Sequence, residues 1–339
     1  MSNPSLRLLL LDPQPESELA FVRSLVPETA LAVSAPPEDD PQAVRALLGN
    51  AEAIVTREQP VTAQTLAAAP NLRLVQKYGG RPDRIDLDAA QAAGVAVAVM
   101  PLRGCIAVAE LTLTLILALS KQLIDAHRAT VEGAYRELGL QPARSSQRVH
   151  AFQWMKLPNL QEIRGKRLGV VGFGEIGTEV AKRANAFGME VVYYKREPLP
   201  AWLDAQLNVQ PLPFDELLRT SDFVTLHVPH GPATDKLIGA RELGLMQPSA
   251  YLVNTCRGPV VDEAALVAAL QAGAIAGAGL DVFEFEPLQW DSPLTQLSNV
   301  ILTPHIGGGT GGAREKQMQD VLDNILRFSR GEEPLHRLV

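Results

Sequence analysis

Short aliphatic and β-branched runs alternate along the chain with longer stretches whose apolar positions recur at helical spacing. Leu6 to Leu11, Ala53 to Val55, Leu72 to Val75 and Val95 to Val99 make a first set of strand-length runs. A second set follows at Leu168 to Val171, Glu190 to Tyr194, Phe223 to Leu226, Tyr251 to Asn254, Gly279 to Val282 and Val300 to Leu302. Strands separated by helix-length segments are joined by crossovers, so the pattern predicts parallel sheets in an α/β protein. So many strands in 339 residues exceed what one core usually holds, and two domains are expected.

Two apolar stretches read as helices. Ile106 to Leu119 is the longest, but it carries Glu110, Thr112 and Thr114 and falls short of the roughly 20 residues that span a bilayer. It is read as a buried helix. Met318, Val321, Leu322 and Ile325 follow the 3.6-residue period of a face that packs on a sheet, though the pattern leaves open which sheet. Residues 130 to 164, with Gly133, Pro142 and Pro158, read as a long irregular connection.

Composition then removes several classes of function. With 31 Lys and Arg against 38 Asp and Glu, the formal charge of -7 supplies no basic footprint for nucleic acid or an anionic membrane. Cys105 and Cys256 stand alone, without a disulfide framework or zinc-ligand spacing. Leu8 to Leu11 lacks the flanks of a signal peptide, so a reducing cytosol is the expected compartment.

The strongest local signal is Leu168-Gly169-Val170-Val171 running into Gly172-Phe173-Gly174-Glu175-Ile176-Gly177 and then a helical pattern. Gly172 permits the tight turn, Gly174 lets a pyrophosphate approach the backbone, and Gly177 lets helix and strand pack closely. The helix N-terminus supplies N–H donors to the anion. An NAD enzyme of this type places an acid roughly 20 residues beyond the motif, on the ribose 2′-hydroxyl. Lys195-Arg196 stands there instead. Two cations suit a 2′-phosphate, so NADP is the preferred cofactor and NAD the alternative. The competing arrangement leaves both cations solvated with Glu197 turned inward.

Three further segments carry reactive groups, each just after a predicted strand: Asn254-Thr255-Cys256-Arg257-Gly258, Asp281-Val282-Phe283-Glu284-Phe285-Glu286-Pro287, and Thr303-Pro304-His305-Ile306-Gly307-Gly308. Ligands of open α/β sheets bind beyond the carboxyl ends of the strands, so the three can converge there. Reducing a carbonyl puts negative charge on its oxygen and needs a proton donor near neutral pH, for which histidine is suited. His305 is the candidate acid. A carboxylate beside it, Glu286, would favour and orient the protonated ring, and Arg257 offers a planar fork to a carboxylate or carbonyl. His227 and His230 are spaced like metal ligands, but Pro229 prevents a helix between them and no third ligand is evident, so no metal is expected. His127, His150 and His336 are left as structural.

These ordered motifs, with Leu226-His227-Val228-Pro229, Val260-Val261-Asp262-Glu263 and Gly279-Leu280-Asp281-Val282-Phe283, resemble the D-isomer-specific 2-hydroxyacid dehydrogenase family, which includes glyoxylate/hydroxypyruvate reductases and phosphoglycerate dehydrogenases. Fainter similarity extends to Asp83-Arg84-Ile85-Asp86-Leu87 and Ala107-Val108-Ala109-Glu110. The resemblance implies a Rossmann dinucleotide-binding domain inserted into a flavodoxin-like substrate domain: residues 1–104 and 307–339 for the latter, 105–306 for the former. It implies Arg257, Glu286 and His305 as catalytic residues. For the cofactor it implies Gly172, Gly174, Glu175, Ile176, Gly177, Lys195, Arg196, Pro229, Thr234, Thr255, Cys256, Asp281, Gly307 and Gly308. The loop of Tyr78, Gly79, Gly80 and Arg81 is implied to bind the substrate carboxylate through backbone amides.

The chain departs from that family at Arg81, where a glycine is usual, and at Pro82, which has no N–H. Arg81, with Lys77 and Arg103, would either grip a second anionic group or point to solvent. Leu111 replaces a common histidine. The implied activity is hydride transfer between NAD(P)H and C2 of a small 2-oxoacid, in a homodimer joined through the cofactor domain near Ile106 to Leu119. The rival readings are a reductase of another anionic carbonyl and a non-catalytic NAD(P) sensor, the second disfavoured because none of Arg257, Glu286 and His305 is missing.

Overall fold

A computed structural model of the chain describes residues 6–36, 41–146, 152–308 and 313–339. It divides into two compact units, Met1–Ile106 with Thr310–Val339 and Ala107–Gly309. His150 lies outside the described residues.

The first unit is a five-stranded parallel sheet of β1 (Leu6–Leu10), β2 (Leu31–Ser34), β3 (Ala53–Thr56), β4 (Leu74–Tyr78) and β5 (Ala96–Met100), in the order β2-β1-β3-β4-β5. Such strands are covered on both faces, and their sequences are mostly apolar, with Gln76 and Lys77 of β4 buried among them. The helix Ala313–Ser329 belongs here: Val321, Leu322 and Ile325 are fully buried against Leu8, Leu10, Leu74 and Ala98. It is fixed by a buried amide pair, Asn324 Nδ2 donating to Gln76 Oε1 at 2.6 Å, while the Leu335 amide donates to Asn324 Oδ1 at 2.6 Å. Residues 337–339 then lie antiparallel along β5, with the Leu338 amide donating to the Val97 carbonyl at 2.8 Å and the Val97 amide to the Val339 carbonyl at 3.3 Å.

The second unit is a seven-stranded parallel sheet of β6 (Arg167–Val171), β7 (Glu190–Tyr194), β8 (Gln210–Pro211), β9 (Phe223–Leu226), β10 (Tyr251–Asn254), β11 (Gly277–Leu280) and β12 (Val300–Leu302). Its order, β12-β11-β10-β9-β6-β7-β8, reverses direction at β6 and makes it a Rossmann sheet. The helix Arg103–Ser120 is long and apolar enough to cross a membrane by composition, yet Leu113, Leu115, Ile116 and Leu119 are buried in one cluster with Leu168, Val170 and Tyr251 of the sheet. It is a core helix.

Two strands escape the sequence pattern. β2 follows a proline-flanked turn and is only four residues long, and β8 is a two-residue edge pairing. β11 begins two residues before the expected Gly279, because Gly277 packs where an added Cβ would lie 2.5 Å from the Asn299 carbonyl. Within 130–164, the helix Leu123–Glu132 ends at left-handed Gly133 and a short 3₁₀ turn, Ala134–Leu138, follows.

Candidate active site

Because the second sheet is parallel, the loops after β6, β10, β11 and β12 emerge at one end of it. The first is the glycine loop. Gly172 has φ +88°, and an added Cβ would lie 2.5 Å from the His227 carbonyl oxygen, so neither the turn nor the packing admits a side chain. Gly177 packs against the loop's own start, 2.9 Å from the Gly172 carbonyl by the same measure. Above Gly174, by contrast, nothing lies within 4 Å. The helix Glu175–Ala186 opens there, with Gly174 at its N-cap and no side-chain cap. A glycine N-cap, the positive dipole end of a helix and room for a close approach fit the pyrophosphate of a dinucleotide.

At the tip of β7, Lys195 is half-exposed while Arg196 and Glu197 are exposed, so Glu197 does not turn inward. After β9, the Thr234 hydroxyl donates to the Pro229 carbonyl at 2.6 Å and accepts from the Gly231 amide. It closes its own turn.

The loop after β10 is shaped by Asn254. Its Oδ1 accepts from the Cys256 amide at 3.1 Å and its Nδ2 donates to the Arg257 carbonyl at 3.0 Å. Thr255 and Cys256 point inward: the Thr255 hydroxyl meets that of Thr112 at 3.0 Å, and burial pushes the Cys256 thiol up to about 11 despite neighbouring amides and the charge of Arg257. A thiol held protonated in this way is an apolar spacer and no nucleophile. Arg257 alone is turned outward.

The loop after β11 brings Glu286 to His305, with Glu286 Oε2 2.6 Å from His305 Nδ1. The other carboxylate oxygen accepts from the Phe283 amide at 3.2 Å. Partial burial raises the Glu286 carboxyl, but the His305 and Phe283 hydrogen bonds and the charges of His305 and Arg257 outweigh it and hold the group below the usual carboxylate range. Glu286 is therefore the acceptor, and Nδ1 carries the proton. His305 Nε2 is the ring nitrogen left for other chemistry.

His305 itself has φ +54°, a left-handed conformation that costs a side-chain-bearing residue energy. Asp281, fully buried, stabilises it from below: its carboxylate accepts from Ile306 N and Gly307 N, both at 2.9 Å, and from the Thr303 hydroxyl at 2.6 Å. Asp281, expected at the cofactor, thus has both oxygens engaged by the His305 loop. Gly307 is buried beside it and Gly308 is exposed.

Gly258 carries a role that the sequence reading passed over. The Arg257 loop crosses the Glu286 loop so closely that an added Cβ would lie 1.8 Å from the Phe283 carbonyl oxygen. Only the glycine between Arg257 and Pro259 marked it. His227, weighed as a metal ligand, is instead buried beneath the glycine loop, with Nε2 3.0 Å from the Thr225 hydroxyl and Nδ1 buried without a partner. His230 pairs with Asp235 at the surface.

The proposed carboxylate loop belongs to the first unit. The Gly79 amide donates to the Met100 carbonyl at 3.0 Å and is spent within the sheet. Tyr78 is half-buried under the Arg57 guanidinium, 5.9 Å from its ring centre. Arg81 does not point to solvent: its side chain is 12% exposed and pairs with Asp83 at 3.0 Å. Lys77 is buried and donates to the Arg57 carbonyl, and Arg103 is held by both oxygens of Asp320.

A Rossmann sheet whose glycine loop shares one end with an arginine, a carboxylate and a histidine defines a dinucleotide-dependent oxidoreductase. Residues 113–307 match the family described as D-isomer specific 2-hydroxyacid dehydrogenase, NAD binding domain. The glyoxylate reductase of Thermococcus gammatolerans is 41% identical over 285 residues, 84% of this chain and 81% of that protein. The D-3-phosphoglycerate dehydrogenase of Mycobacterium leprae is 38% identical over 288 residues, 85% of this chain and 51% of that protein. A solved glyoxylate reductase from Paecilomyes thermophila is 30% identical, covers 99% of each chain and superposes with a TM-score of 0.56. The chain belongs to the D-isomer-specific 2-hydroxyacid dehydrogenase family. It is a nicotinamide-dinucleotide-dependent oxidoreductase that interconverts small 2-oxoacids and 2-hydroxyacids.

Two outcomes follow from the packing of this end of the sheet. Gly258→Ala displaces the Arg257 and Glu286 loops by on the order of 1 Å and lowers kcat/KM by about 10²-fold or more, read by steady-state kinetics. An activity within threefold of wild type would show that the crossing is not rigid. His227 supplies the second: burial holds the folded imidazole at about 3, against about 6.5 for an exposed ring. Below about pH 6.5 the unfolded chain takes up the proton and the folded one does not, so stability falls as pH drops towards 3, by at most about 1.4 kcal/mol per pH unit. Urea titrations between pH 7 and 4 should show this slope flattening by about one proton in His227→Asn.

Proposed function

We propose that the protein works as a reductase of glyoxylate and similar short 2-oxoacids, with His305 as acid, Glu286 as its orienting carboxylate and Arg257 as the group that binds and polarises the substrate. The observation that carries this reading is the 2.6 Å contact of Glu286 with His305, with the charge of Arg257 acting on the same carboxylate. His305 Nε2 donates the proton that the developing alkoxide needs, and the negative charge of Glu286 stabilises the imidazolium before transfer. Arg257 gains attraction for the carbonyl oxygen as charge develops there, so it lowers the barrier as well as binding. The bound reduced nicotinamide supplies the hydride to C2. Tyr78, Gly80 and Arg81 of the first unit are assigned to the substrate carboxylate, without the Gly79 amide.

The same reading gives the pyrophosphate to Gly172, Gly174 and the amides of Glu175 and Ile176, and the adenosine 2′-phosphate to Lys195 and Arg196. A half-exposed Lys195 and an exposed Arg196 at the tip of β7, with an exposed Glu197, favour NADPH over NADH. A homodimer is supported by apolar side chains left open on one stretch of the second unit, among them Leu123, Ile124, Val131, Phe152 and Leu160.

Two measurements test these assignments. His305→Ala should bind cofactor as wild type does, by nucleotide fluorescence titration, while kcat falls by about 10²-fold or more. Unchanged turnover removes His305 from proton transfer. For the cofactor, wild type should prefer NADPH in kcat/KM by about tenfold or more, the scale of one charge-assisted hydrogen bond. The Lys195→Asp/Arg196→Ala variant should reverse the order. A tenfold NADH preference in wild type would refute the assignment of the two cations.

A further inference from the structure

The turn after β7 is tied down from below by one buried side chain. Arg196, Glu197 and Pro198 stand out in solvent, whereas Tyr193 before them is fully buried and Leu199 after them is only 6% exposed. Tyr193 anchors the turn at both ends. Its backbone belongs to β7, and its hydroxyl accepts from the amide of Leu199, six residues on, at 2.9 Å and donates to Asp204 Oδ1 at 2.9 Å. Pro198 and Pro200 flank that amide and restrict the backbone on either side of it. Residues 195–198 thus form a short arch closed at its base by a hydrogen bond.

The same side chain meets the glycine loop. The Tyr193 ring packs on that of Phe173, with centroids 4.4 Å apart, in the core cluster that also takes Leu199 and Leu203. Beside them the Gly172 amide donates to the Tyr194 carbonyl at 2.9 Å. A phosphate on the adenosine ribose would be held by short, directional, charge-assisted hydrogen bonds, which weaken steeply when donor and acceptor are misplaced. Lysine and arginine side chains carry much rotamer freedom, so a well-placed backbone is what aims them. We propose that Tyr193 is a positioning residue for cofactor choice: by tying the arch to the glycine loop, it sets Lys195 and Arg196 at the distance from the pyrophosphate site that a 2′-phosphate requires. The inference rests on the reading of those two cations as the 2′-phosphate site, and it adds the group that places them. Being fully buried, Tyr193 acts through the arch.

The test measures binding of NADPH and NADH to the full-length enzyme by nucleotide fluorescence titration. Tyr193→Phe keeps the ring on Phe173 and removes the hydroxyl, and it should raise Kd for NADPH by about tenfold and that for NADH by less than about threefold. A hydroxyl with a structural role alone would weaken both cofactors alike or neither, and either result overturns the proposal. The effect must also vanish without the cations. In the Lys195→Ala/Arg196→Ala background, Tyr193→Phe should change NADPH affinity by less than about twofold, and a full tenfold loss there refutes the arch. Should Tyr193→Phe not fold, Asp204→Ala and Asp204→Asn take its place. Both remove the same charge, but only the asparagine still accepts from the Tyr193 hydroxyl, so NADPH should bind the alanine variant at least about threefold more weakly while NADH binds both alike. Equal NADPH affinities overturn the proposal. A wild type without preference for NADPH sinks the reading of Lys195 and Arg196 and the inference with it, whereas a preference that Tyr193→Phe leaves intact sinks the inference about Tyr193 alone.

Discussion

The hydrogen bond between Glu286 and His305 joins side chains from two separate loops, so its 2.6 Å length depends on how those loops are held relative to each other. Neither loop is regular structure. Each hangs from the end of a parallel strand, and the register of β11 with β12 sets their starting points. From there Asp281 secures the His305 side through two amides and a hydroxyl, and the Phe283 amide secures the Glu286 side. The Arg257 loop is pressed against the same place by the absence of a Cβ at Gly258. The contact between these two side chains is thus maintained largely by backbone groups, which have few ways to relax.

Much of this architecture was legible in the chain. The strands of the two sheets show as apolar runs because parallel strands are covered on both faces and leave no polar alternation to confuse them. The glycine loop was readable because each of its glycines answers a separate steric demand, visible again as the close approaches at Gly172 and Gly177 and the open space at Gly174. What stayed hidden was of two kinds. β2 and β8 are too short for periodicity to register, and their pairing is decided by the neighbours they meet. The helix Ala313–Ser329 announced its apolar face but not its destination, since Val321, Leu322 and Ile325 would suit either sheet.

Side-chain direction was the other hidden quantity. Thr234, Thr255, Cys256 and Asp281 sit in the expected loops, yet the Thr255 hydroxyl meets Thr112 of a helix and the polar atoms of the other three bind neighbouring loop residues. A motif specifies where a residue stands along the chain, while its rotamer follows from contacts far away in sequence. The same limit applies to Arg81, whose pairing with Asp83 two residues on leaves no mark in the sequence pattern. His227 shows the same limit: a histidine at the end of a strand looks the same in sequence whether it faces a ligand or the underside of a glycine turn.

The first unit is assembled from both ends of the polypeptide, and this orders events during synthesis. Its sheet emerges from the ribosome early, but the helix whose Val321, Leu322 and Ile325 cover Leu8, Leu10 and Leu74, and the tail that lines β5, are translated last. The intervening unit is continuous in sequence and can complete its own core first. For the duration of roughly two hundred residues of elongation, at about 5–20 residues per second, one apolar face of the nascent five-stranded sheet is covered by Leu19, Val22 and Val26 but lacks Val321, Leu322 and Ile325. Nascent-chain holdases would find their binding surface there, and a ribosome stalled before residue 313 would release a protein with one finished domain and one unfinished.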